Sequence, residues 1–201
     1  MGDSHSAVMG RPREFDIDKA LDRALRVFWE QGYEGASLTD LTDAMGITKP
    51  SLYAAFGNKE QLFSKALQRY TEGPASYGAR ALEEPTARGV VEALLRGAVR
   101  TTTLPDSPPG CLGVQGALAS SDRNQPAHDV LVSWRNDSAQ RLEERFQRAV
   151  QEGDLPDDAD PKRLARYITT VTFGIAVQAA GGMGRDELQD IADMTLDRWL
   201  S

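Results

Sequence analysis

The chain has 201 residues, of which 40% are hydrophobic and 26% charged, and this composition argues against an intrinsically disordered protein. Its formal net charge of −7 excludes a simple argument for nucleic-acid binding from overall basic charge. The single cysteine cannot form an intrachain disulfide, and residues 1–13 lack the apolar core of a secretory signal, so we expect a cytoplasmic protein.

Capping residues and hydrophobic spacing predict four helices in the first 70 residues, after a polar arm over residues 1–15. The first helix is long, the second and third are short, and the fourth begins with a capping box in which Asn58 pairs with Gln61. The other expected cap and stop residues, in chain order, are Asp16, Gly32, Ser37, Gly46, Thr48 and Gly57.

The remaining sequence predicts further helices and no strands. A fifth helix covers residues 90–99, and a loop with three prolines and a short apolar segment over 111–119 follow it. A long amphipathic helix is predicted over 125–153, and two more helices, separated by a glycine-rich break over 181–184, complete the chain. We therefore predict an all-α protein of about nine helices.

One uncharged stretch, residues 167–184, is long enough to raise the question of a membrane span. It also contains several threonines and glycines and has no second candidate beside it in the chain. This composition favours a helix that is buried in protein on most of its faces, with part of that burial supplied by a partner chain.

The segment from Gly32 to Leu62 carries the most specific pattern. Helices two and three are separated only by Met45-Gly46-Ile47, and so short a turn with a glycine forces them to cross steeply. The inner side of helix three carries Leu52 and Phe56. The outward side is left to donors and small side chains, namely Lys49, Ser51, Tyr53 and Ala54. A helix of nine residues is about 13 Å long, which fits a DNA major groove about 12 Å wide.

Charge around this segment agrees with DNA binding better than the total charge does. Residues 44–65 contain three lysines and one glutamate, and Lys59 at the start of helix four is placed to reach a backbone phosphate. DNA binding here should be sensitive to salt without depending on a large basic field. The alternative is a helical hairpin of a larger bundle, whose polar residues are merely solvated.

Five short motifs follow one another between residues 28 and 62. A glycine-aromatic pair ends helix one, a Ser/Thr cap begins helix two, and Gly-Ile forms the turn. Leu-Tyr-x-x-Phe lies in helix three, and Lys-Glu-x-Leu opens helix four. In this combination the segment resembles the DNA-binding domain of TetR-type bacterial transcriptional regulators. The resemblance is specific because it combines all five motifs.

The resemblance implies DNA-contacting roles for the matched positions. Those expected to face bases or the nearby backbone are Thr48, Lys49, Ser51 and Ala54. Those expected to contact phosphate are Tyr53, Lys59, Ser37 and Thr39. Arg11 and Arg13, which precede helix one, could form an arm in the minor groove. For Tyr53, the alternative is ordinary packing under Phe28.

These patterns divide the chain into three parts. Residues 1–15 form a mobile arm, residues 16–58 a helix-turn-helix DNA-binding domain, and residues 59–201 a ligand-binding and dimerisation domain whose first helix links the two. A single short helix in the major groove contacts only a few base pairs, so sequence specificity needs a two-fold dimer on a palindromic operator.

We expect the last two helices to form the dimer surface as a four-helix bundle, as the resemblance also suggests. The expected contact residues are Leu164, Ile168, Val171, Ile175, Leu188, Ile191, Thr195 and Trp199. Small residues such as Gly174 and Ala180 would permit close approach of the partner helices. The alternative is that these side chains form an intrachain core.

The middle helices would then bound a cavity for a small hydrophobic or aromatic effector. The expected lining residues are Leu95, Val99, Cys111, Leu112, Gln115, Trp134 and Phe173, and the alternative for each is plain core. The resemblance implies a repressor that the effector releases from DNA, because ligand and DNA select different spacings of the two reading helices. Helix four is the expected lever.

Cys111 supports a separate hypothesis. It follows Pro108-Pro109-Gly110 and could open a helix, whose dipole would lower the pKa of the thiol and make it a sensor of oxidants or electrophiles. A buried and unreactive thiol is the alternative.

Catalytic and metal-binding patterns are weak. The two histidines and the cysteine lack zinc spacing, Gly110, Gly113 and Gly116 follow no strand, and the acidic run over 154–160 lacks EF-hand order. We therefore expect neither an enzyme nor a cofactor. The alternatives are an all-α adaptor that binds protein and a helical enzyme that binds small molecules. Salt-dependent binding to a palindromic DNA fragment, or turnover of a bound compound, would distinguish them.

Overall fold

In a computed structural model, which describes residues 15–116 and 125–199, these residues form ten α-helices, one 3-10 turn and no strand. The all-α prediction is confirmed. The helices are α1 (Ile17–Gly35), α2 (Leu38–Met45), α3 (Lys49–Phe56), α4 (Lys59–Glu72), α5 (Tyr77–Ala81), α6 (Ala87–Thr102), α7 (Leu112–Gln115), α8 (Gln125–Gln151), α9 (Pro161–Ala180) and α10 (Arg185–Asp197).

The helices differ most clearly from the predicted ones at two places. Gly32 was expected to end α1, but the helix kinks there at φ +70° and continues to Gly35. The 3-10 turn Pro74–Ser76 and α5 had no counterpart in the prediction, because elements of three and five residues are too short to show a helical period. In the short apolar segment over 111–119, α7 covers four residues, and residues 117–119 lie outside the described part of the chain.

Two hydrophobic clusters form the core. The first joins α1, α2, α3 and α4 to α7 and to the start of α8, and its largest fully buried side chains include Phe28, Phe63 and Tyr70. The second joins α6, α8, α9 and α10 around Phe146 and Ile168. Because the first cluster contains α4 and α7, the hydrophobic packing of the N-terminal helices continues across the domain boundary predicted after residue 58.

The stretch that raised the membrane question lies mostly in α9. Its inward side chains, Ile168, Thr172, Ile175 and Ala179, are buried in the protein. No helix within the described ranges has both the length and the apolar character that crossing a bilayer requires.

Candidate nucleic-acid interface and ligand cavity

The turn between α2 and α3 is built by local capping. Ser37 and Asp40 form a reciprocal capping box at the start of α2, with both bonds 3.0 Å long. Gly46 ends α2 at φ +69°, a left-handed conformation that glycine adopts without strain. Thr48 then caps α3, because its Oγ1 accepts a hydrogen bond from the Ser51 amide at 3.3 Å. These contacts determine the angle at which α3 leaves α2.

α3 has one buried side and one exposed side, as expected. Leu52 and Phe56 are 0% and 2% exposed and pack into the first core cluster. The predicted DNA-contacting residues that are exposed are Ser37, Thr39, Thr48, Lys49, Tyr53 and Ala54. Ser51 and Lys59 are half-buried, and Arg11 and Arg13 lie outside the described residues. The structure therefore gathers these exposed side chains around α3 and the start of α2.

Tyr53 is 48% exposed, so the alternative that it packs under Phe28 is wrong. The ring of Phe28 instead contacts Tyr33 and Phe63, at centroid distances of 6.2 Å and 5.1 Å. Tyr33, which directly follows the kink at Gly32, is 8% exposed and therefore lies in the core beside Phe28. The hydroxyl of Tyr53 is left on the outward side of α3.

Ser51 and Lys59 are held by contacts that the sequence pattern did not indicate. The hydroxyls of Ser51 and Thr48 lie 2.9 Å apart and share a hydrogen bond. The ammonium of Lys59 lies 4.3 Å from the centroid of the Tyr33 ring, a cation–π contact. Burial lowers the pKa of Lys59, and nearby Glu34 opposes that shift. The ammonium of Lys59 therefore rests against the Tyr33 ring.

A cavity of about 390 Å³ lies between α4, α5, α6, α8 and α9. Its lining residues are Thr71, Ala75, Tyr77, Gly78, Ala79, Leu82, Leu94, Trp134, Asp137, Ser138, Arg141, Leu142, Ile168, Thr169, Thr172 and Phe173. The rings of Trp134 and Phe173 stack at 6.4 Å between centroids, and the indole N–H of Trp134 donates to Thr71 Oγ1 at 2.9 Å. The volume is that of an ordinary small-molecule site.

Only two of the seven predicted lining residues, Trp134 and Phe173, border this cavity. Leu95 and Val99 pack in the second core cluster, and Cys111 and Leu112 in the first. Gln115 borders a different surface depression, next to α1 and the end of α9. For these five residues the structure therefore favours the plain-core or surface alternative over a place in this cavity.

Cys111 does not have the activated thiol that the sensor hypothesis required. It is 5% exposed and immediately precedes α7, a helix of only four residues. Burial raises the pKa of the Cys111 thiol, whereas the helix-dipole argument predicted a lowered one; a hydrogen bond with the Tyr70 side chain only partly offsets the rise. The alternative of a buried thiol agrees with the structure, because desolvation outweighs the small dipole of so short a helix.

We expect iodoacetamide to modify Cys111 in the native protein at pH 7.5 at least about tenfold more slowly than in the denatured chain, because only the thiolate reacts. Since the native pKa is raised, the native rate should keep rising with pH beyond the range in which the denatured chain has levelled off. Mass spectrometry of the single cysteine measures both rates. A native rate equal to the denatured one would revive the sensor hypothesis.

Three hydrogen bonds join α1 to residues 106–116, which contain α7 and the loop before it. Arg26 Nη1 donates to the Asp106 carbonyl at 2.9 Å, and Trp29 Nε1 donates to the Gly110 carbonyl at 3.2 Å. The backbone N–H of Tyr33, released by the kink, donates to Gly116 O at 2.8 Å. α1 is thus bonded directly to residues 106–116, in which Gly113 packs against Trp134 of the cavity wall, and this is a second connection besides α4.

Most of the predicted dimer residues lie inside the chain's own core. Ile168, Ile175, Leu188, Thr195 and Trp199 are 0–8% exposed, so they are not available to a partner. Leu164, Val171 and Ile191 are half-buried. For the five buried residues the intrachain alternative is correct, because each helix turns its most apolar stripe toward α6 and α8.

The outward stripe of the same helices is a different set of residues. Tyr167 and Val177 on α9 and Met194 on α10 are 49%, 47% and 55% exposed. Gly174 lies between the first two on the same face of α9, and a Cβ atom added there would meet nothing within 4 Å. An exposed apolar stripe with a glycine at its centre permits close approach of a second helix.

In the described ranges, no group of three or more histidine, cysteine, aspartate or glutamate side chains is placed to bind a metal ion. The titratable lining residues of the cavity are Tyr77, Asp137 and Arg141. Burial raises the pKa of Tyr77, so its hydroxyl stays protonated. The cavity combines a largely apolar lining with a few polar side chains, an arrangement suited to binding a small ligand.

Two protein-family models match the chain. The model described as bacterial regulatory proteins, tetR family, matches residues 20–66, and the tetracyclin repressor-like C-terminal domain matches residues 85–192. The HTH-type transcriptional repressor ComR of Escherichia coli (strain K12) is 32% identical over 94% of this chain and 91% of its own length. The repressor BdcR of the same strain is 30% identical over 94% of this chain and 91% of its own length.

A solved structure is similar over nearly the whole chain. It holds a cysteine mutant of the TetR family transcriptional regulator CifR, complexed with 26-bp double-strand operator DNA. That protein is 44% identical, the match covers 94% of this chain and 100% of the other, and the TM-score is 0.90. The similarity therefore includes both the N-terminal helices and the domain that contains the cavity.

Proposed function

Because the chain belongs to the tetR family of bacterial regulatory proteins and is thus a DNA-binding transcriptional regulator, we propose that it represses transcription from a palindromic operator in the cytoplasm. In this proposal it binds the operator as a homodimer, and a small molecule in the cavity releases it. ComR and BdcR are both named transcriptional repressors, which supports repression over activation.

The observation that carries the proposal is the two-sided character of α3. Two side chains, Leu52 and Phe56, hold the helix in the core, while Lys49, Tyr53 and Ala54 are exposed along its outward side. An exposed helix of this length with a solvent-facing N-terminus can enter a major groove and present its first residues to base edges. The similarity to CifR, whose solved structure holds operator DNA, supports DNA binding by this chain.

The proposed dimer uses the outward stripe of α9 and α10. Tyr167, Val177 and Met194 are half of the six large hydrophobic side chains that are exposed in the described ranges. A two-fold axis beside α9 would bury this stripe against its own copy and form a four-helix bundle. The half-buried residues Leu164, Val171 and Ile191 could contribute at its margin.

Two connections could transmit effector binding to α3. α4 supplies Thr71 to the cavity wall and begins directly after α3. The three hydrogen bonds from α1 to residues 106–116 form the second connection. An effector that selects one arrangement of these contacts, while DNA selects another, would lower operator affinity by linkage.

Selecting bound sequences from a random DNA pool tests this function. We expect a palindrome and an affinity that falls steeply as salt concentration rises. Equal affinity for all DNA sequences, or no DNA binding at all, would contradict the proposal and favour the protein-binding adaptor.

Two variants, one on α3 and one on α4, test which residues contact bases and which contact phosphate. We expect Ser51→Ala to change sequence preference by about 1–3 kcal/mol at one or two base pairs, because Ser51 lies at the reading end of α3. Lys59→Ala should weaken operator and random DNA alike and reduce the salt slope by about one, because its contact would be with phosphate. Fluorescence anisotropy on both DNAs at several salt concentrations measures this.

The salt slope also distinguishes the two possible roles of Lys59. If Lys59→Ala lowers thermal stability but leaves the slope unchanged, the ammonium serves only to cover Tyr33. Lys162→Ala provides a matched control, since Lys162 is an exposed lysine at the start of α9. It should change neither the slope nor the operator preference.

A further inference from the structure

Three serine and threonine hydroxyls of the cavity already donate their hydrogen atoms within their own helices. Ser138 Oγ donates to the Trp134 carbonyl at 2.8 Å, Thr169 Oγ1 to the Ala165 carbonyl at 2.8 Å, and Thr172 Oγ1 to the Ile168 carbonyl at 2.7 Å. Each bond runs to the carbonyl four residues earlier in the same helix. What these three residues offer a ligand is therefore the remaining acceptor capacity of their oxygen atoms.

The indole donor of the cavity is also occupied. Trp134 Nε1 donates to Thr71 Oγ1, and that hydroxyl in turn donates to the Leu67 carbonyl at 2.8 Å. Two lining side chains, Tyr77 and Arg141, retain donor groups, and Arg141 is exposed. A ligand atom could accept a hydrogen bond from Ser138, Thr169 or Thr172 only if that hydroxyl first broke its bond to the helix carbonyl. Breaking that bond costs free energy.

The cavity is bordered by one negative and one positive side chain, so its lining carries no net charge. Asp137 and Arg141 lie one turn apart on α8, are both exposed, and carry opposite charges. The remaining lining is dominated by apolar side chains around the stacked rings of Trp134 and Phe173. An ionised carboxylate inside would have to lose its hydration next to the acceptor oxygens of α8 and α9, which is unfavourable.

We propose that the cavity binds an uncharged aromatic compound that donates a hydrogen bond, of the phenol class, to the acceptor wall formed by Ser138, Thr169 and Thr172. The aromatic part packs against Trp134 and Phe173, and the ligand hydroxyl points at the α8–α9 wall. This assignment of a ligand class rests on the proposed function in so far as the ligand acts as an effector. The polarity of the cavity itself does not depend on DNA binding.

Isothermal titration calorimetry with three related probes tests the proposal on the full chain without DNA. The probes are 2-naphthol, 2-methoxynaphthalene and the anion of 2-naphthoic acid. We expect 2-naphthol to bind about tenfold more tightly than its methyl ether, because the ether can only accept, and the carboxylate to bind most weakly. Equal affinity for naphthol and ether, preference for the carboxylate, or no binding by any probe up to its solubility limit would overturn the proposal.

Variants of the acceptor wall test whether its three side-chain oxygens cause the tighter binding of 2-naphthol than of its methyl ether. In Ser138→Ala/Thr169→Val/Thr172→Val the affinity for 2-naphthol should fall to that for the ether, and the ether should still bind. The matched control is Ser133→Ala, which makes the same kind of change on the exposed side of α8 and should keep the tenfold preference. A preference that survives in the cavity variant would overturn the assignment of these three oxygens.

Operator release is measured separately, so that the two proposals can fail independently. If 2-naphthol binds with the expected preference but leaves the operator complex intact, the cavity assignment stands and the effector role of this class fails. If another compound releases the operator while naphthol and its ether bind equally, the regulatory function stands and the cavity assignment is overturned.

Discussion

Replacing Gly174 with glutamate is expected to convert the protein to a monomer and to lower its operator affinity by about a hundredfold or more. Two linked reading heads gain affinity from effective concentration, typically about 10²–10⁴, and a monomer loses that gain. Gly174 is central to the expected interface because it lies between the exposed side chains of Tyr167 and Val177 on α9.

This substitution separates loss of assembly from loss of folding. A side chain at Gly174 meets no atom within 4 Å in the chain, and the residue lies in the interior of α9. Replacing an exposed glycine within a helix stabilises the helix by roughly 0.5–1 kcal/mol. The variant monomer should therefore keep or gain thermal stability at the protomer level, while two facing glutamates disfavour the dimer.

Light scattering after size-exclusion chromatography measures the oligomeric state, and anisotropy measures operator binding. Gly174→Ala is the conservative control and should stay dimeric, because a methyl group still permits close packing. Leu104→Glu is the control for adding the same charge at an apolar surface residue, since Leu104 is 39% exposed but lies between α6 and α7. A dimeric Gly174→Glu variant with unchanged operator affinity would show that the interface lies elsewhere.

The N-terminal helices could be predicted closely because their boundaries depend on neighbouring residues. Ser37 with Asp40, and Asn58 with Gln61, each form a capping box whose two members are three residues apart. Gly46 and Gly57 end their helices at positive φ, a preference that is visible in the residue type alone. Such signals need no knowledge of the tertiary structure.

The cavity could not be predicted in the same way, because its wall is assembled from distant segments. Thr71 and Tyr77 precede Trp134 by about sixty residues, and Thr172 follows it by nearly forty. Trp134 and Phe173 were found because large aromatic residues on middle helices are natural lining candidates. The polar lining residues gave no sequence signal, since a threonine that bonds to its own helix is indistinguishable in sequence from any other.

The proposed dimer surface shows why sequence periodicity alone does not predict which side of a helix meets a partner. Sequence periodicity selects the most apolar stripe of a helix, and in α9 and α10 that stripe includes Ile168, Ile175 and Leu188, which the chain buries itself. A surface stripe such as Tyr167, Gly174 and Val177 is mixed in character and does not stand out. Hydrophobic periodicity therefore predicts the inward face of such helices more reliably than the face left for a partner.

Truncation of Leu52 to alanine should destabilise the N-terminal unit by about 2–5 kcal/mol, the usual cost of removing a buried leucine. Leu52 is 0% exposed and is one of only two buried side chains on α3. Because so few contacts hold this helix, the loss should loosen its orientation and lower operator affinity far more than it affects the C-terminal domain. Chemical denaturation measures the stability, and anisotropy measures the affinity.

Leu52→Met keeps nearly the same volume and should cost less than about 1.5 kcal/mol, with operator binding largely retained. Leu104→Ala removes the same number of atoms from an exposed site and should change stability by no more than about 0.5 kcal/mol. In Leu52→Ala the dimer and the binding of 2-methoxynaphthalene should persist, because the interface stripe and the cavity are built from other helices. Loss of dimerisation together with operator binding would instead mean that α3 and the C-terminal domain fold as one cooperative unit, which the shared first core cluster makes the principal competing outcome.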